Sequence, residues 1–373
     1  MSDTIGFDVG TGNLISAKYK ENKIEFNYMR NCYLPISSYD IESSELSNTP
    51  LDYIEFKDED GEIQEFLIIS EDALRFSNIF GKTPERPMQH GMISTKNISA
   101  IDIITLMVEK LISDDNKKIK KVIYSIPADP IDSNQSALLY HQRVFESIFN
   151  VLEYDCKAIN EGLAVIYSEC EKTNYSGIGI SFGAGLTNIC CAYKGTPVLT
   201  FSINKGGDWI DNEVGNALNT TPSRVSSIKE RNLDLSESST KKSKNRKETM
   251  IRDALKMYYK NLIDYVLNLI VKKFSENSDG LQIDEEIPIV ISGGTSGPNG
   301  FVELFKEVLS SYKEFPYEIS EVRHAENFLE AVALGCLKYG NWKKEEKNER
   351  NFKDVNKNDI AQEVPGLSNK SSK

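Results

Sequence analysis

Residues 5–12 read IGFDVGTG, and residues 178–185 read IGISFGAG. The two octapeptides share one Ile and three Gly at the same positions, and each runs from an apolar stretch into a glycine turn. This pattern is typical of a buried β-strand that ends in a tight hairpin. The repeat predicts two copies of one supersecondary unit whose hairpins face each other across a cleft. The copies differ where Asp8 is matched by Ser181.

The chain extends both copies by a similar plan. The first half predicts a meander of strands and then alternating helices and buried strands, over TIGFDVG, NLISAKY, KIEFNYM, residues 99–113, KVIYSIP, residues 133–150, YDCKAIN and EGLAVIYSE. The second half predicts the strands GIGISFG, LTNICCAY and PVLTFSI, helices from Asp208 and Ser223, a long helix over residues 249–275, the strand IPIVIS and two more helices. We therefore expect an α/β fold.

The composition fits a soluble protein of two lobes. A chain of 373 residues is long for one core, and its net charge of -12 disfavours a general nucleic-acid or membrane-surface binder. No apolar run approaches about 20 residues and no signal-peptide pattern opens the chain, so we expect a cytoplasmic protein. The six scattered cysteines are expected to be reduced core residues rather than zinc ligands.

The first glycine turn offers groups that suit an anion. Gly10 and Gly12 bring bare N–H groups close to a ligand, and Thr11 and Asn13 add side-chain donors. Glycine hairpins also occur for purely steric reasons. Asp8 favours a functional interpretation, because a carboxylate in an apolar strand is costly to bury without a cation or donors.

Two further stretches suggest a nucleotide. The strand IPIVIS runs into the turn of residues 293–297 and then a helix, an arrangement that admits a sugar or ring and favours anions, although it is also an ordinary strand-to-helix turn. Lys229 and Glu230 end a short predicted helix, where a solvated charged face is the usual explanation. Neither stretch decides the function alone.

Taken in order, the motifs GFDVGTGN, INEGLAVIYSE, ISFGAGLTN, NKGGDWID, IKE, VISGGTSG and EAVALGCLKYG resemble the signature motifs of the actin and heat-shock-chaperone ATPase superfamily. The segments FGKTPERPMQHGMIS and GGDWID are similar to the bacterial rod-shape actins in particular. The resemblance covers about residues 4–340. It implies a two-lobed actin-like ATPase fold, made of duplicated ribonuclease-H-like βββαβαβα lobes, with ATP and Mg²⁺ in the cleft between them.

The resemblance also implies the roles of particular residues. Asp8 would hold Mg²⁺ through water, and Glu161 would orient water or metal, although a carboxylate there also suits the helix dipole. Gln142 is the candidate for positioning the attacking water, with Tyr140 and His141 as competitors because the register there is loose. The implied nucleotide-binding residues are Gly10, Thr11, Gly12 and Asn13 in the first phosphate loop; Ser181, Gly183, Ala184, Gly185 and Leu186 at the second; Gly206, Gly207 and Asp208 near the sugar; Lys229 and Glu230 beside the purine and ribose; and Gly293, Gly294, Thr295 and Ser296 under the adenosine.

The mismatch at Ser181 departs from the family pattern, which has an aspartate before the second turn and often a threonine or valine where Leu186 stands. Losing a carboxylate near a metal commonly costs about 10- to 100-fold in metal affinity or activity. A serine still makes one hydrogen bond, so nucleotide binding should survive better than turnover. We predict a nucleotide-binding protein with slow hydrolysis and leave open whether it is an active ATPase.

The resemblance divides the chain into a first lobe over residues 1–170, with a variable subdomain at about 37–90, and a second lobe over 171–340. The second lobe has a reduced subdomain at about 231–248, and residues 341–373 are expected to be a disordered charged tail. The short polar loop offers little apolar contact for a neighbouring protomer, and the N-terminus leaves no room for an amphipathic membrane helix.

The leading hypothesis is an ATP-binding cytoskeletal filament former that serves cell shape or segregation. The alternative is a chaperone-like or regulatory nucleotide switch that works as a monomer. A sugar or acetate kinase would need a second substrate pocket with a catalytic aspartate, which we do not locate. The meander argues against a dinucleotide dehydrogenase, the charge argues against a nucleic-acid binder, and GTP stays open beside ATP.

Overall fold

The structure is a computed structural model that describes residues 4–37, 53–57, 60–95, 99–113, 119–133, 137–236, 245–276, 283 and 285–342. The elements of the first half are, in chain order, β1 (Thr4–Val9), β2 (Asn13–Lys20), β3 (Lys23–Arg30), β4 (Tyr33–Ser37), β5 (Tyr53–Lys57), β6 (Ile63–Ile69), α1 (Ser70–Phe80), β7 (Met88–Gln89), β8 (Met92–Ile93), α2 (Ala100–Ile112), β9 (Lys121–Ile126), α3 (Leu138–Val151), β10 (Asp155–Asn160) and α4 (Glu161–Glu169).

The second half begins with a short 3-10 turn, Glu171–Thr173, and repeats the plan. Its elements are β11 (Gly177–Phe182), β12 (Thr187–Tyr193), β13 (Thr196–Ile203), α5 (Gly207–Ala217), α6 (Pro222–Asn232), α7 (Arg246–Glu276), β14 (Ile287–Ser292), the 3-10 turn Gly294–Ser296, α8 (Phe301–Leu309), β15 (Ile319–His324) and α9, a helix over residues 331–342.

Two five-stranded sheets of the same topology form the two lobes. Their strand orders are β10-β9-β1-β2-β3 and β13-β12-β11-β14-β15. In each sheet the glycine hairpin joins an antiparallel pair, β1 with β2 and β11 with β12, and the first strand of that pair also lies parallel to a later strand. Asp8 lies opposite Ile15 and Ser181 opposite Asn188, so the sequence repeat is a structural repeat in register. The expected two-lobed α/β fold is confirmed.

Each lobe has its own aromatic core. In the first lobe Phe7 and Tyr124 both pack against Phe149 on α3. In the second lobe Phe182 packs edge-on against Phe301, at a ring-centroid distance of 5.1 Å. These rings are almost completely buried, and such large apolar side chains contribute most of the free energy that holds a sheet to its helices.

The first glycine of each repeat, Gly6 or Gly179, is explained by helix packing. A Cβ on Gly6 would come within 2.1 Å of the carbonyl oxygen of Ala333 on α9, and a Cβ on Gly179 would come within 2.3 Å of the carbonyl oxygen of Gly162 on α4. Thus α4 packs on the sheet of the second lobe, and α9 packs on the sheet of the first. The two helices also meet, because Gly335 leaves no room for a Cβ beside Ala164.

Several elements differ from the sequence prediction. Sequence periodicity did not indicate α1, because it follows directly on the apolar strand β6, nor β15, whose residues ISEVRH are mostly polar. Strands β4, β5 and β6 form a separate three-stranded sheet that occupies part of the segment we expected to be variable. The long helix predicted over residues 249–275 is confirmed as α7.

Other expectations concern the cysteines, membrane-spanning segments, the reduced subdomain and the tail. The six cysteines are free, and all but the partly exposed Cys156 are buried. None of the described helices is long and apolar enough to span a membrane. Residues 237–244 of the reduced subdomain and residues 343–373 of the tail lie outside the described residues.

Candidate nucleotide site

A cleft of about 730 Å³ lies between the two sheets and is lined by both glycine hairpins. Of the residues predicted from the sequence, those that line it are Asp8, Gly10, Thr11, Gly12, Asn13, Glu161, Ser181, Gly183, Ala184, Gly185, Leu186, Gly207, Asp208, Lys229, Glu230, Gly293, Gly294 and Thr295. Fold duplication thus brings together residues from both ends of the chain.

The two hairpins have the same tight geometry. A Cβ on Gly10 would lie 2.5 Å from the carbonyl oxygen of Asn13, and a Cβ on Gly183 would lie 2.9 Å from that of Leu186. Asn31 fixes the first turn, because its backbone N–H donates to Gly12 O at 3.0 Å and its side-chain amide donates to Gly10 O at 2.9 Å. Only glycine permits this approach of backbone to backbone.

The tips of the hairpins almost touch, and the short β7–β8 hairpin packs against both. A Cβ on Gly12 would lie 3.3 Å from the Cβ of Ala184. The backbone N–H of Gly91, in the β7–β8 turn, donates to Thr11 Oγ1 at 3.0 Å, and a Cβ on Gly91 would clash with the side chain of Leu186. The phosphate-loop candidates therefore form one continuous wall.

Asp8 and Glu161 lie together below the hairpins. Burial raises the pKa of Asp8 to about 7, although the hydroxyl of Ser125, which donates to Asp8 Oδ1 at 2.9 Å, opposes the shift. Burial, and then the charge of Asp8, raise the pKa of Glu161 to about 8. Among the described residues no basic side chain opposes these two shifts, so near neutral pH the pair is partly protonated unless a cation joins it.

Ser181 and Asn188 complete this group from the second lobe. Ser181 Oγ donates to Glu161 Oε2 at 3.3 Å, which favours the ionised form of Glu161. Asn188 accepts from the backbone N–H of Ala128 at 3.0 Å, and a hydrogen bond from its side chain also lowers the pKa of Glu161. Ser181 is therefore a donor to Glu161 where an aspartate would have added a third carboxylate.

The donor set fits a Mg²⁺ ion that phosphates help to hold. Mg²⁺ is usually bound through one or two carboxylates, several waters and substrate phosphates rather than by an all-protein cage. In the part of the chain that the structure describes, no cluster of three or more His, Cys, Asp or Glu side chains could hold a metal alone. Two buried carboxylates lie beside two turns lined with N–H groups, an arrangement in which protein and bound phosphates could hold Mg²⁺ together. Asp8 and Glu161 are the residues that would hold the ion.

The turn after β14 and the start of α5 brace the second hairpin. Thr295 Oγ1 donates to Gly183 O at 2.8 Å, and the backbone N–H of Gly207 donates to the same oxygen at 3.0 Å. Lys229 Nζ in turn reaches Gly207 O at 3.0 Å and Asp211 Oδ2 at 2.7 Å. These contacts lead stepwise from the phosphate-loop candidate to the α6 and α7 end of the cleft.

Among the described residues, further polar contacts join the lobes across the cleft. Arg86 Nη1 lies 2.9 and 2.8 Å from the two carboxylate oxygens of Asp208. Arg30 lies 3.6 Å from Glu230, and Tyr28 donates to Glu330. These contacts restrict the opening between the lobes.

Five sequence candidates do not line the cleft. Gln142 lies on α3 with its amide donating to Glu146 at 2.8 Å, and Tyr140 is exposed. His141 is buried beside β8, where it accepts from the backbone N–H of Ile93 at 3.3 Å. Gly206 and Ser296 lie behind the lining residues, next to the carbonyl oxygens of Ala184 and Gly293. Gln142 therefore lies outside the cleft lining, with its amide bonded to a neighbouring residue of α3.

Sequence reasoning missed four residues that shape the site: Ser125, Asn188, Arg86 and Gly91. Ser125 ends the strand KVIYSIP and Asn188 follows the second turn in LTN, so their places beside predicted strand ends were a usable signal. Arg86 and Gly91 lie in the segment between α1 and α2 that contains the β7–β8 hairpin. The position of this segment against the cleft depends on the tertiary fold.

Two duplicated lobes that face each other through glycine hairpins, with a carboxylate pair beneath, define an actin-like protein. A family model described as volactin matches residues 3–339, and the chain belongs to the volactin family. No curated protein matches it.

Solved structures share the fold at low sequence identity. They include the MamK double helical filament (15% identity, 91% of this chain and 98% of that chain covered, TM-score 0.65). MreB5 of Spiroplasma citri bound to ADP is similar as well (14% identity, 93% and 98% covered, TM-score 0.60). So is the ethanolamine utilization protein EutJ from Carboxydothermus hydrogenoformans (15% identity, 90% and 89% covered, TM-score 0.50). The chain therefore shares the fold of the bacterial actin-like proteins, as the resemblance of its motifs predicted.

Proposed function

We propose that this volactin-family protein binds ATP with Mg²⁺ in the interlobe cleft, and that its nucleotide state controls assembly into filaments with a cytoplasmic role in cell shape or segregation. The observation that carries the proposal is the pair of hairpins that face each other above Asp8 and Glu161. The lobes would divide near residue 170, as the sequence predicted. Structures with the same fold have been solved with ADP or AMPPNP bound, which supports a nucleotide as the ligand.

The residues of the cleft would divide the work as follows. The N–H groups of residues 10–13 and 183–186 would hold the phosphates. Asp8 would hold Mg²⁺ through water, and Glu161 would orient a water for in-line attack on the terminal phosphate. The bound cation supplies positive charge that neutralises the phosphate oxygens and lowers the pKa of the two carboxylates.

Slow hydrolysis follows from the place of Ser181. Its hydroxyl donates to Glu161 and adds no negative charge beside the metal. Binding uses the hairpin N–H groups, which both lobes retain, whereas turnover needs a tightly held metal and an activated water. We therefore assign the protein strong nucleotide binding and weak ATPase activity.

Filament formation is supported by the likeness to the MamK double helical filament. The second candidate is a nucleotide switch that acts as a monomer. The cross-lobe bridges favour it, because Arg86 with Asp208 and Arg30 with Glu230 would couple nucleotide release to lobe opening without any neighbour.

Sedimentation and negative-stain electron microscopy separate the two candidates. The full chain is incubated over a wide concentration range with ATP and Mg²⁺, with ADP and Mg²⁺, and with ATP and EDTA. Polymer that appears with ATP and Mg²⁺ and disappears with EDTA supports the filament. Stabilisation by nucleotide in a thermal melt without any polymer supports the switch, and the absence of both effects refutes the nucleotide site.

A further inference from the structure

Ser125 lies beside Asp8 in a place that the strand register determines. Strands β1 and β9 run parallel, and the last pair in their register is Phe7 with Tyr124. Asp8 and Ser125 are one residue further along each strand, so their side chains lie next to each other on one face of the sheet. Ser125 is completely buried, whereas Asp8 lines the cleft. An influence of Ser125 on a bound ligand would therefore pass through Asp8.

Two hydrogen bonds fix the direction in which the Ser125 hydroxyl donates. The backbone N–H of Val9 donates to Ser125 Oγ at 2.9 Å, and Ser125 Oγ donates to Asp8 Oδ1 at 2.9 Å. A serine hydroxyl carries a single proton, and the backbone already occupies one of its acceptor sites. The proton is thus committed to Oδ1, which restrains rotation of the carboxylate and leaves Oδ2 available to a ligand.

The second lobe offers an internal comparison, because Ser292 holds the equivalent register position there. Ser292 pairs with Ser181, which replaces the acid, across the parallel strands β14 and β11. The Ser292 hydroxyl donates instead to the backbone oxygen of Phe328, at 3.1 Å. Both lobes thus keep a buried serine beside this position, and the serine donates to it in the lobe that has the acid.

Metal chemistry gives the bond between Ser125 and Asp8 a use. Residues that orient a metal-ligating side chain commonly contribute about 10- to 100-fold to metal affinity or activity. Mg²⁺ demands near-ideal octahedral geometry, so it tolerates little movement of a carboxylate that binds its waters. Burial raises the pKa of Asp8, and the Ser125 hydroxyl opposes this rise and so favours the charged form that pairs with a cation.

We propose that Ser125 is a positioning residue for the metal: its hydroxyl, fixed by the backbone of Val9, orients the Asp8 carboxylate so that Oδ2 can hold the waters of a cleft-bound Mg²⁺. This inference rests on the proposed nucleotide site and names a residue that sets how tightly the site holds its ion.

Calorimetric titration with AMPPNP, a hydrolysis-resistant analogue of ATP, tests it. The affinity of the full chain is measured in EDTA and at a series of free Mg²⁺ concentrations. Ser125→Ala should bind AMPPNP in EDTA as the unchanged protein does, because the N–H groups of both hairpins are intact. The variant should need about 10- to 100-fold more free Mg²⁺ to reach the half-maximal gain in affinity. A role of Ser125 in folding alone would not shift this Mg²⁺ requirement.

Three further variants assign the effect to the hydroxyl and to Asp8. Ser125→Cys fills the same space with a weaker donor, so it should need about threefold more Mg²⁺, and it decides the matter if Ser125→Ala does not fold. In the Asp8→Asn background, Ser125→Ala should change nothing further, because the serine acts through Asp8. Ser16→Ala is the matched control and should leave the Mg²⁺ requirement unchanged, since Ser16 is similarly buried in the same sheet and donates to Leu111 O at 3.1 Å.

Each outcome supports or overturns the inference. An unchanged Mg²⁺ requirement in both Ser125 variants, or a loss of AMPPNP affinity that is equal with and without Mg²⁺, overturns it and leaves the nucleotide site standing. An equal rise in Ser16→Ala overturns it too, because loss of any buried serine hydroxyl would then explain the effect. AMPPNP binding that never responds to Mg²⁺ overturns the metal site, no binding at all overturns the proposed function, and in either case the inference falls as well.

Discussion

Replacing Asp8 with asparagine should stabilise the protein in EDTA without nucleotide and remove its response to Mg²⁺ and ATP. Burial makes the ionised carboxylate unfavourable, whereas the isosteric amide can still accept the hydrogen bond from Ser125. With a cation bound, the ionised carboxylate of Asp8 instead stabilises the folded protein, because it is paired with a positive charge. One substitution should therefore have opposite effects in the two conditions.

The size of the effect follows from the pKa of Asp8. A rise from 3.8 to about 7 corresponds to about 4 kcal/mol of unfavourable free energy for the ionised form. Local relaxation and proton sharing with Glu161 reduce it, so we expect about 1–3 kcal/mol. Because the folded protein keeps a proton that the unfolded chain loses, the difference between variant and wild type is near zero below pH 4. It grows as the pH rises and is complete above about pH 7.

Thermal melts at pH 5 and pH 8 in EDTA measure the gain, and melts with Mg²⁺ and ATP measure the lost response. A ligand at 100 times its Kd stabilises a protein by about 2.7 kcal/mol, and Asp8→Asn should lose most of this shift. Asp155→Asn, at an exposed aspartate of the same sheet, is the matched control and should change neither melt. If Asp8→Asn is less stable than wild type at pH 8 in EDTA, the reasoning about the buried carboxylate pair is wrong.

Three further substitutions test other parts of the site. Ser181→Asp should lower the melting temperature in EDTA, because a third carboxylate joins the pair. The same variant should raise Mg²⁺-dependent phosphate release about tenfold or more. An unchanged rate would show that the missing acid does not limit turnover. Arg86→Asp or Asp208→Arg alone should speed nucleotide dissociation a few-fold in stopped-flow measurements. The double variant, which reverses the ion pair, should restore the slow rate. No recovery in the double variant would exclude a bridge between the two residues. Gly91→Ala should lower the free energy of unfolding by about 2–4 kcal/mol, because its φ is +73° and a Cβ would strike the side chain of Leu186. The control Gly61→Ala, at φ +82° with nothing within 4 Å of the new Cβ, should lower it by only about 1 kcal/mol. Equal losses would contradict the tight hairpin contact.

The sequence predicted the fold well where burial made its pattern regular. Strands such as β1, β11 and β14 are mostly apolar, are buried along nearly their whole length and end at glycine turns, so pattern and structure agree. The pattern failed at β15, an edge strand of mostly polar residues in which Val322 is the one buried position, and at α1, which starts without a break after β6.

The site was predictable where the backbone itself forms it. The glycine turns and Asp8 stand out because a turn without side chains and an acid in an apolar strand are unusual locally. Gln142 was a matter of helix register, which sequence alone does not fix within one turn.

Each half of the chain supplies a helix that packs on the other half's sheet, at Gly6 or at Gly179. Each half therefore needs the other in order to fold. A fragment that stops near residue 170 would contain α4 but lack the strands that cover it, and its own sheet would lack α9. Neither fragment could hide its glycine-lined groove from water, so each should aggregate when produced alone. Co-expressed fragments should instead recover a soluble complex, in which each completes the other.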